Sequence, residues 1–338
     1  MDVLSTNFVN IGAGPGLMAL TPDRTSTIVF SSASHTFSVV DNSTEQSVGT
    51  IAVPDFTESF VPSADSIRLF VAIPNEGVFG QPNGAVEVLN IAGGFKITSI
   101  PVAGAHFLSL SNAGNRLLAF GDNSDAVTVI DTTKINAPGE TTVVAGFDRP
   151  VAAVFNSDDS LAYVLNCGPE CGGTTAGISV LDLKSNTITR TIPLMAATVG
   201  ILNGSTLFVA GTPPGHNGQG TLQTVDVGSF LIGAPITISN GFHNRMALTN
   251  NFLFVGARTC NNVATGCLSI VDTTANTATT DTPNGDVTGM EPISNRNVIY
   301  VVEGGELRIF DTTTGQLSPT QLDIVGKAID VKQIDKGP

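Results

Sequence analysis

Short runs of alternating hydrophobic and polar residues fill this chain, and turns rich in Gly, Ser, Thr, Asn and Asp separate them. Alternation with a period of two, with many β-branched residues, predicts β-strands rather than helices throughout. One pattern recurs seven times: a hydrophobic strand ends in Asp or Asn and leads into a turn, as in TFSVVDNST and LRIFDTTTG. The seven marker residues are Asp41, Asn90, Asp131, Asp182, Asp226, Asp272 and Asp311.

The markers recur about every 45 residues, a period typical of propeller blades. The pattern predicts an all-β fold, a seven-bladed β-propeller with four antiparallel strands, a to d, in each blade. We expect a single domain over residues 1–338, with terminal strands at 6–12 and 328–334 near the closure seam. Which terminal strand completes the ring stays open. The predicted blades span approximately 16–54, 55–103, 104–147, 148–195, 196–240, 241–287 and 288–327.

Three segments carry a resemblance to a known family: LAYVLN at 161–166, GISVLDLKSNTITRTIPL at 177–194 and LRIFDTTTGQ at 307–316. This blade pattern resembles the YVTN-type repeat and the lactonase-like seven-bladed propellers. The resemblance covers essentially the whole chain, but it lies in the residues that build a blade. It therefore implies an architecture and no particular activity, since many functions share such scaffolds.

The charge balance narrows the range of partners. The net charge is −14 and the isoelectric point about 4.5, so we expect no nucleic acid partner. Apolar runs stay well below the ~18 residues that a membrane helix needs, so no membrane span is predicted. The chain opens with the polar MDVLSTN, which is not a signal peptide; if the protein is exported, its signal has been removed. The marker Asp residues are expected to cap their own turns.

The four cysteines form two close pairs, Cys167 with Cys171 and Cys260 with Cys267. Four cysteines allow three connectivities, and two local bridges fit best because each pair falls within one loop of one blade. Such bridges indicate an oxidising compartment, either extracellular or periplasmic. The alternative is a zinc site shared by all four thiols, but the second pair is spaced more widely than zinc ligands usually are. We therefore predict no metal site and no cofactor.

Long loops favour one face of the propeller as the functional one. The connections between strands b and c are long and variable, and both cysteine pairs lie in them, whereas the turns of the opposite face are short. Loops on a rigid scaffold commonly carry function. The b–c loops are 74–85, 166–177, 211–220 and 257–267.

Titratable residues for catalysis are few, and they collect where each d–a connection enters an innermost strand. A His, Arg and carboxylate set there suits proton transfer beside an anionic intermediate. The candidate catalytic residues are His106, Arg149, His243, Arg245 and Glu291, with Asp148 and Glu58 beside them in sequence or position. Asp122 and Asp125, in GDNSDA, indicate a hairpin turn more than a calcium site, because the length and Glu of an EF-hand are missing.

Three functions fit these observations. The first is a secreted or periplasmic binding module, expected to be a monomer, that holds a protein, peptide or glycan on its b–c loop face. The alternative is a metal-independent lactonase, lyase or isomerase with the His, Arg and Glu residues at the channel mouth. A third is a structural array within a cell-surface assembly. The sequence leaves open whether the protein is an enzyme.

Overall fold

The computed structural model describes residues 8–215, 218–260, 266–281, 285–322, 324 and 326–335. They form seven antiparallel sheets and two short 3-10 turns, Thr132–Lys134 and Gly168–Cys171. The predicted all-β, seven-bladed fold class is confirmed. Within these ranges, no helix has the length and apolar character to cross a membrane.

The chain divides into two compact units, and the first, the four-blade unit, spans residues 8–191. Each of its sheets has four strands in sequence order, each hydrogen-bonded to the next. The strands are β1 Pro15–Leu20, β2 Ser26–Ser31, β3 Thr36–Asp41, β4 Gln46–Ala52, β5 Phe60–Pro62, β6 Arg68–Ile73, β7 Ala85–Asn90, β8 Phe95–Pro101, β9 Ala105–Leu110, β10 Arg116–Gly121, β11 Ala126–Asp131, β12 Thr141–Ala145, β13 Pro150–Phe155, β14 Leu161–Asn166, β15 Gly177–Asp182 and β16 Thr187–Pro193.

The second, three-blade unit covers the described residues from 192 to 335. Its first two sheets have four strands and the last has three, β25 to β27. An isolated bridge from Phe310 to Leu317 takes the fourth position of that sheet. The strands are β17 Val199–Asn203, β18 Thr206–Gly211, β19 Gly220–Asp226, β20 Ile236–Ile238, β21 Phe242–Thr249, β22 Phe252–Arg258, β23 Leu268–Asp272, β24 Thr277–Asp281, β25 Val287–Pro292, β26 Val298–Glu303 and β27 Glu306–Asp311.

Residues 8–12 and 328–334, which belong to the predicted terminal strands, lie outside regular strands, and residues 6 and 7 of the first predicted strand fall outside the described ranges. The C-terminal segment bonds to the last blade mainly through side chains rather than through a backbone ladder. The Ser294 N–H, for example, donates to Gln333 Oε1 at 2.8 Å.

The middle strands of each blade are buried on both faces. In β6, Leu69 and Val71 pack against the first blade, whereas Phe70 and Ala72, which point the opposite way, pack against the third. Alternate residues of a strand face opposite sides of its sheet, so a sheet between two others must be apolar on both. This double burial explains why the b strands read as nearly continuous hydrophobic runs.

The third strand of each blade carries one polar residue three positions before its marker, within the buried layer. We call this position the polar slot, and its occupants are Ser38, Glu87, Thr128, Ser179, Gln223, Ser269 and Arg308. In three blades the slot accepts a backbone N–H from the segment that leads into the same blade. The donors are Gly12 to Ser38 at 3.3 Å, Met195 to Gln223 at 2.9 Å and Ser239 to Ser269 at 2.8 Å.

The fourth blade makes the same connection through an intermediate side chain. Asn166 donates its side-chain amide to Ser179 at 2.8 Å and accepts the N–H of Asp148 at 3.2 Å. In the seventh blade Arg308 pairs with Asp281 at 2.9 Å, just before the segment that enters the blade. In these blades the slot therefore helps to hold the segment that enters the blade, such as the one that carries Asp148 and Arg149.

The marker residues cap the turns that follow them, as predicted. The Asp41 carboxylate accepts the N–H groups of Ser43 and Thr44, each at 2.9 Å, and Asn90 accepts that of Gly93 at 2.6 Å. Hydrogen bonds led by the Ser43 hydroxyl hold the pKa of Asp41 below its ordinary value. Much of the acidity of the chain is thus structural.

Replacing a polar slot residue should destabilise the protein without exposing the core. In Ser269→Ala the buried Ser239 N–H loses its acceptor, and an unsatisfied buried donor costs about 1–3 kcal/mol. Urea denaturation should show a loss of this size. Ser47→Ala, at an exposed strand position, is the control; an equal loss in both variants would contradict the role of the slot.

Candidate functional site

His106 lies at the start of β9, between two carboxylates of the four-blade unit. Its Nε2 is 3.1 Å from Glu58 Oε2, and its Nδ1 contacts Asp122 Oδ1. Burial alone would lower the pKa of His106, but the hydrogen bonds with Glu58 and Asp122 outweigh it and raise the pKa. The His106 side chain thus joins the connection before β5 to the b–c turn of the third blade.

Arg149 holds the same turn from the other side. Its guanidinium donates to the carbonyl of Asn123, and its backbone N–H donates to Asp125 Oδ1 at 3.2 Å. Arg149 has a φ of 55°, a left-handed conformation that non-glycine residues rarely adopt. His106 and Arg149 therefore bind opposite ends of one turn, residues 121–125.

Asp148 fixes the long loop of the fourth blade. Its carboxylate accepts the N–H groups of Thr174 at 3.0 Å and Thr175 at 2.8 Å, as well as the Thr174 hydroxyl. Burial would raise the pKa of Asp148, but these hydrogen bonds lower it. At the other end of the loop, the Cys167 N–H donates to the Arg149 carbonyl at 2.9 Å.

Backbone hydrogen bonds extend this arrangement to the loop of the second blade. The Gly104 N–H donates to Asn83 O at 2.8 Å, and the Asp122 N–H donates to Gly104 O at 2.9 Å. These hydrogen bonds connect five segments of the chain to one another. We call the five segments the loop framework: residues 74–85, 102–106, 121–125, 146–149 and 167–175. Phe79, in the loop of the second blade, is fully exposed.

The remaining candidates lie in the three-blade unit, and His243 is the most deeply buried of them. Its side chain in β21 has no solvent exposure, and neither ring nitrogen has a hydrogen-bond partner among the described residues. A Cβ added to Gly220 would lie 2.6 Å from its Cε1, so the ring packs closely on that strand. Burial outweighs the influence of the Ser239 backbone and lowers the pKa of His243 to about 4, so the imidazole is neutral.

Arg245 and Glu291 lie on neighbouring innermost strands, β21 and β25. The guanidinium of Arg245 donates to two backbone carbonyls, Thr288 O and Asn244 O, each at 3.1 Å. Glu291 Oε1 accepts the N–H of Gln333 at 3.5 Å. Their predicted catalytic role, like that of the other three candidates, stays a prediction.

Both predicted disulfides are present: Cys167 is bonded to Cys171 and Cys260 to Cys267. Cysteines bonded in this way are not available as zinc ligands. The first bridge spans the 3-10 turn of the fourth-blade loop and so adds to the loop framework. The second closes the loop of the sixth blade, part of which lies outside the described residues.

Glu303, at the end of β26, is a buried carboxyl group that sequence reasoning missed. Its side chain has no exposure and no hydrogen-bond partner in the described part of the chain, and Arg308 Nε lies 4.0 Å away. Burial, reinforced by the neighbouring charge of Asp281, raises its pKa to about 8. The only sequence signal was an acid at the end of a b strand, a place where exposed acids are also common.

Comparisons with known proteins support the fold. No protein-family model and no curated protein matches the sequence. Hydrazine synthase of Kuenenia stuttgartiensis is similar in structure, with a TM-score of 0.65 and 15% identity over 92% of this chain and 99% of that one. The Cps50 (Swd1) β-propeller domain of Myceliophteria thermophila has a TM-score of 0.62 and 11% identity, over 88% and 96% of the two chains.

A third similar structure is the dihydro-heme d1 dehydrogenase NirN, with a TM-score of 0.54 and 10% identity over 89% of this chain and 73% of that one. Identities this low show a shared fold and no shared activity. The resemblance seen in the sequence is thus supported for the seven-bladed propeller, and its finer family assignment stays a prediction.

The His106 contacts should make stability depend on pH. Because its pKa is raised on folding, the stabilisation is present below about pH 6.5, its ordinary value, and is lost as the pH rises through the raised value. The melting temperature of His106→Gln should therefore fall further below that of the wild type at pH 5.5 than at pH 9. If the melting temperatures of the variant and the wild type differed by the same amount at both pH values, His106 would not be protonated between the two carboxylates.

Glu303 should produce a slope of the same sign, over a pH range that begins lower. Its carboxyl binds a proton in the folded protein up to a pH of about 8 but only to about 4.5 when unfolded, so stability falls as the pH rises between these values. The decline approaches ~1.4 kcal/mol per pH unit. Glu303→Gln should flatten the profile measured by urea denaturation, whereas Glu306→Gln, at the exposed position directly after the turn, should leave it steep. A steep profile in Glu303→Gln would contradict this assignment.

Proposed function

We propose that this protein is an exported binding module that holds a protein, peptide or glycan on its loop framework. The observation that carries the proposal is Phe79, a fully exposed aromatic side chain in a loop whose C-terminal end, at Asn83 O, accepts a hydrogen bond from the Gly104 N–H of the framework. Exposed aromatic residues on preorganised loops are typical anchors for binding, because little conformational entropy is lost when the ligand binds.

The state of the titratable groups favours binding over catalysis. His106 and Arg149 already bond to Glu58, Asp122 and the backbone of the 121–125 turn. A catalytic acid or base must reach a proton of the substrate. In the framework these two residues instead hold loops in place, which is what a preformed binding surface needs.

The disulfides support the export part of the proposal. Two bridges within surface loops persist only where thiols are not kept reduced, which favours the periplasm or the cell exterior. A monomer is the expected state, with the loop framework left open to its ligand.

The second blade offers a matched pair of variants to test the function. Phe79 lies in the b–c loop, and Phe95, also exposed, lies at the opposite end of the same sheet. A glycan array and a displayed peptide library should each be screened with the purified wild-type protein. Phe79→Ser should weaken binding of a selected ligand at least ~tenfold, and Phe95→Ser should not.

The proposal would be overturned if neither library yields a ligand, or if the two substitutions have equal effects on every ligand found. Far-ultraviolet circular dichroism and melting curves of both variants provide the folding control. Neither substitution removes a buried side chain, so both should match the wild type.

A further inference from the structure

The last blade has a very short b–c connection, and the C-terminal segment lies beside it. Gly304 and Gly305 alone join β26 to β27. The Ala328 N–H donates to the carbonyl of Gly305 at 2.8 Å, which brings residues 327–329 alongside the turn.

Two glycines allow this segment to approach closely. A Cβ at Gly289 would lie 2.7 Å from Asp330 Oδ1, and one at Gly305 would lie 2.4 Å from the Cγ of Lys327. Contacts this short are not available to other residues without a shift of the chain. The segment is therefore fitted to the blade rather than merely adjacent to it.

A cleft of about 390 Å³ remains between the segment and the blade, which we call the tail cleft. Its lining is mainly apolar and includes Ala328 and Ile329. Two polar groups of the lining residues have no hydrogen-bond partner within the described ranges. The Lys327 amine has no hydrogen-bond or ion-pair partner among the described residues. The Thr288 hydroxyl is buried and, within the same ranges, likewise has no partner.

Arg245 contacts the lining of the cleft, with Nε donating to Thr288 O at 3.1 Å. Burial lowers the pKa of Arg245, the charge of Asp330 opposes this, and that of Arg258 reinforces it. Asp330 also pairs with Lys332 at 3.3 Å.

The cleft also contains one acid, Asp286, whose Oδ1 accepts the N–H of Thr259 at 2.8 Å. One amine and one hydroxyl suit a singly charged carboxylate, which takes two or three donors. The apolar lining requires that the ligand also have a hydrocarbon part.

We propose that the tail cleft binds a small organic monocarboxylate. The carboxylate accepts hydrogen bonds from Lys327 and Thr288, and its hydrocarbon part packs against Ala328 and Ile329. This site is separate from the loop framework and does not depend on the function proposed for it.

Isothermal titration of the full chain with hexanoate and with benzoate tests the proposal. Hexanamide and benzamide, which keep the shape and lack the charge, serve as ligand controls. We expect dissociation constants of about 1 mM or below for the acids and at least ~tenfold weaker binding of the amides. Lys327→Met should weaken binding of the acids at least ~tenfold, and Thr288→Val by a smaller factor.

Lys184→Met, which removes an exposed lysine from the four-blade unit, is the matched control and should bind like the wild type. Because Lys327 is exposed, its replacement should leave the fold unchanged, and a melting curve checks this. Failure of both acids to bind the wild type, equal binding of acids and amides, or unchanged binding by Lys327→Met would each overturn the proposal.

Discussion

Burial of each middle strand on both of its faces is the constraint on which the rest of the structure depends. A sheet such as β5–β8 has no solvent side, since Leu69 and Phe70 point to different neighbours and are both fully buried. Charged groups are therefore excluded from most of the blade and collect at the strand ends. Glu87, which remains inside, is paired with Lys96 at 2.8 Å.

The same constraint explains how the candidate site is built. The segments between blades cannot be held by packing alone, because they cross the sheet ends where the core stops. Hydrogen bonds and ion pairs hold them instead, and His106, Asp148 and Arg149 supply these in the four-blade unit. These three residues, which look catalytic in sequence, thus have a structural task in holding the connections. Under the proposed function, exposed side chains such as Phe79 contact the ligand.

The sequence predicts the repeating parts of this protein well and the unique parts poorly. Strand periodicity recurs in every blade, so the fold class and the marker turns could be predicted from it. Both disulfides could be predicted because each cysteine pair falls within one of the loops that this periodicity locates. The pairing of His106 with Asp122 joins residues from different connections, and no repeat encodes it. The burial of His243 depends on Gly220, in the preceding blade, and the local sequence GFHNRM gives no sign of it.

The residue in the polar slot, and the partner to which it bonds, differ between several of the blades. A Ser, a Gln, a Glu or an Arg occupies the same position in different blades, and each is matched to a different partner. Propeller genes grow by duplication of whole repeats, yet a copy of the seventh blade placed elsewhere would bring a buried Arg without its Asp281. Repeats that have diverged at this position are no longer interchangeable, which also disfavours misfolded states in which blades pair in the wrong order.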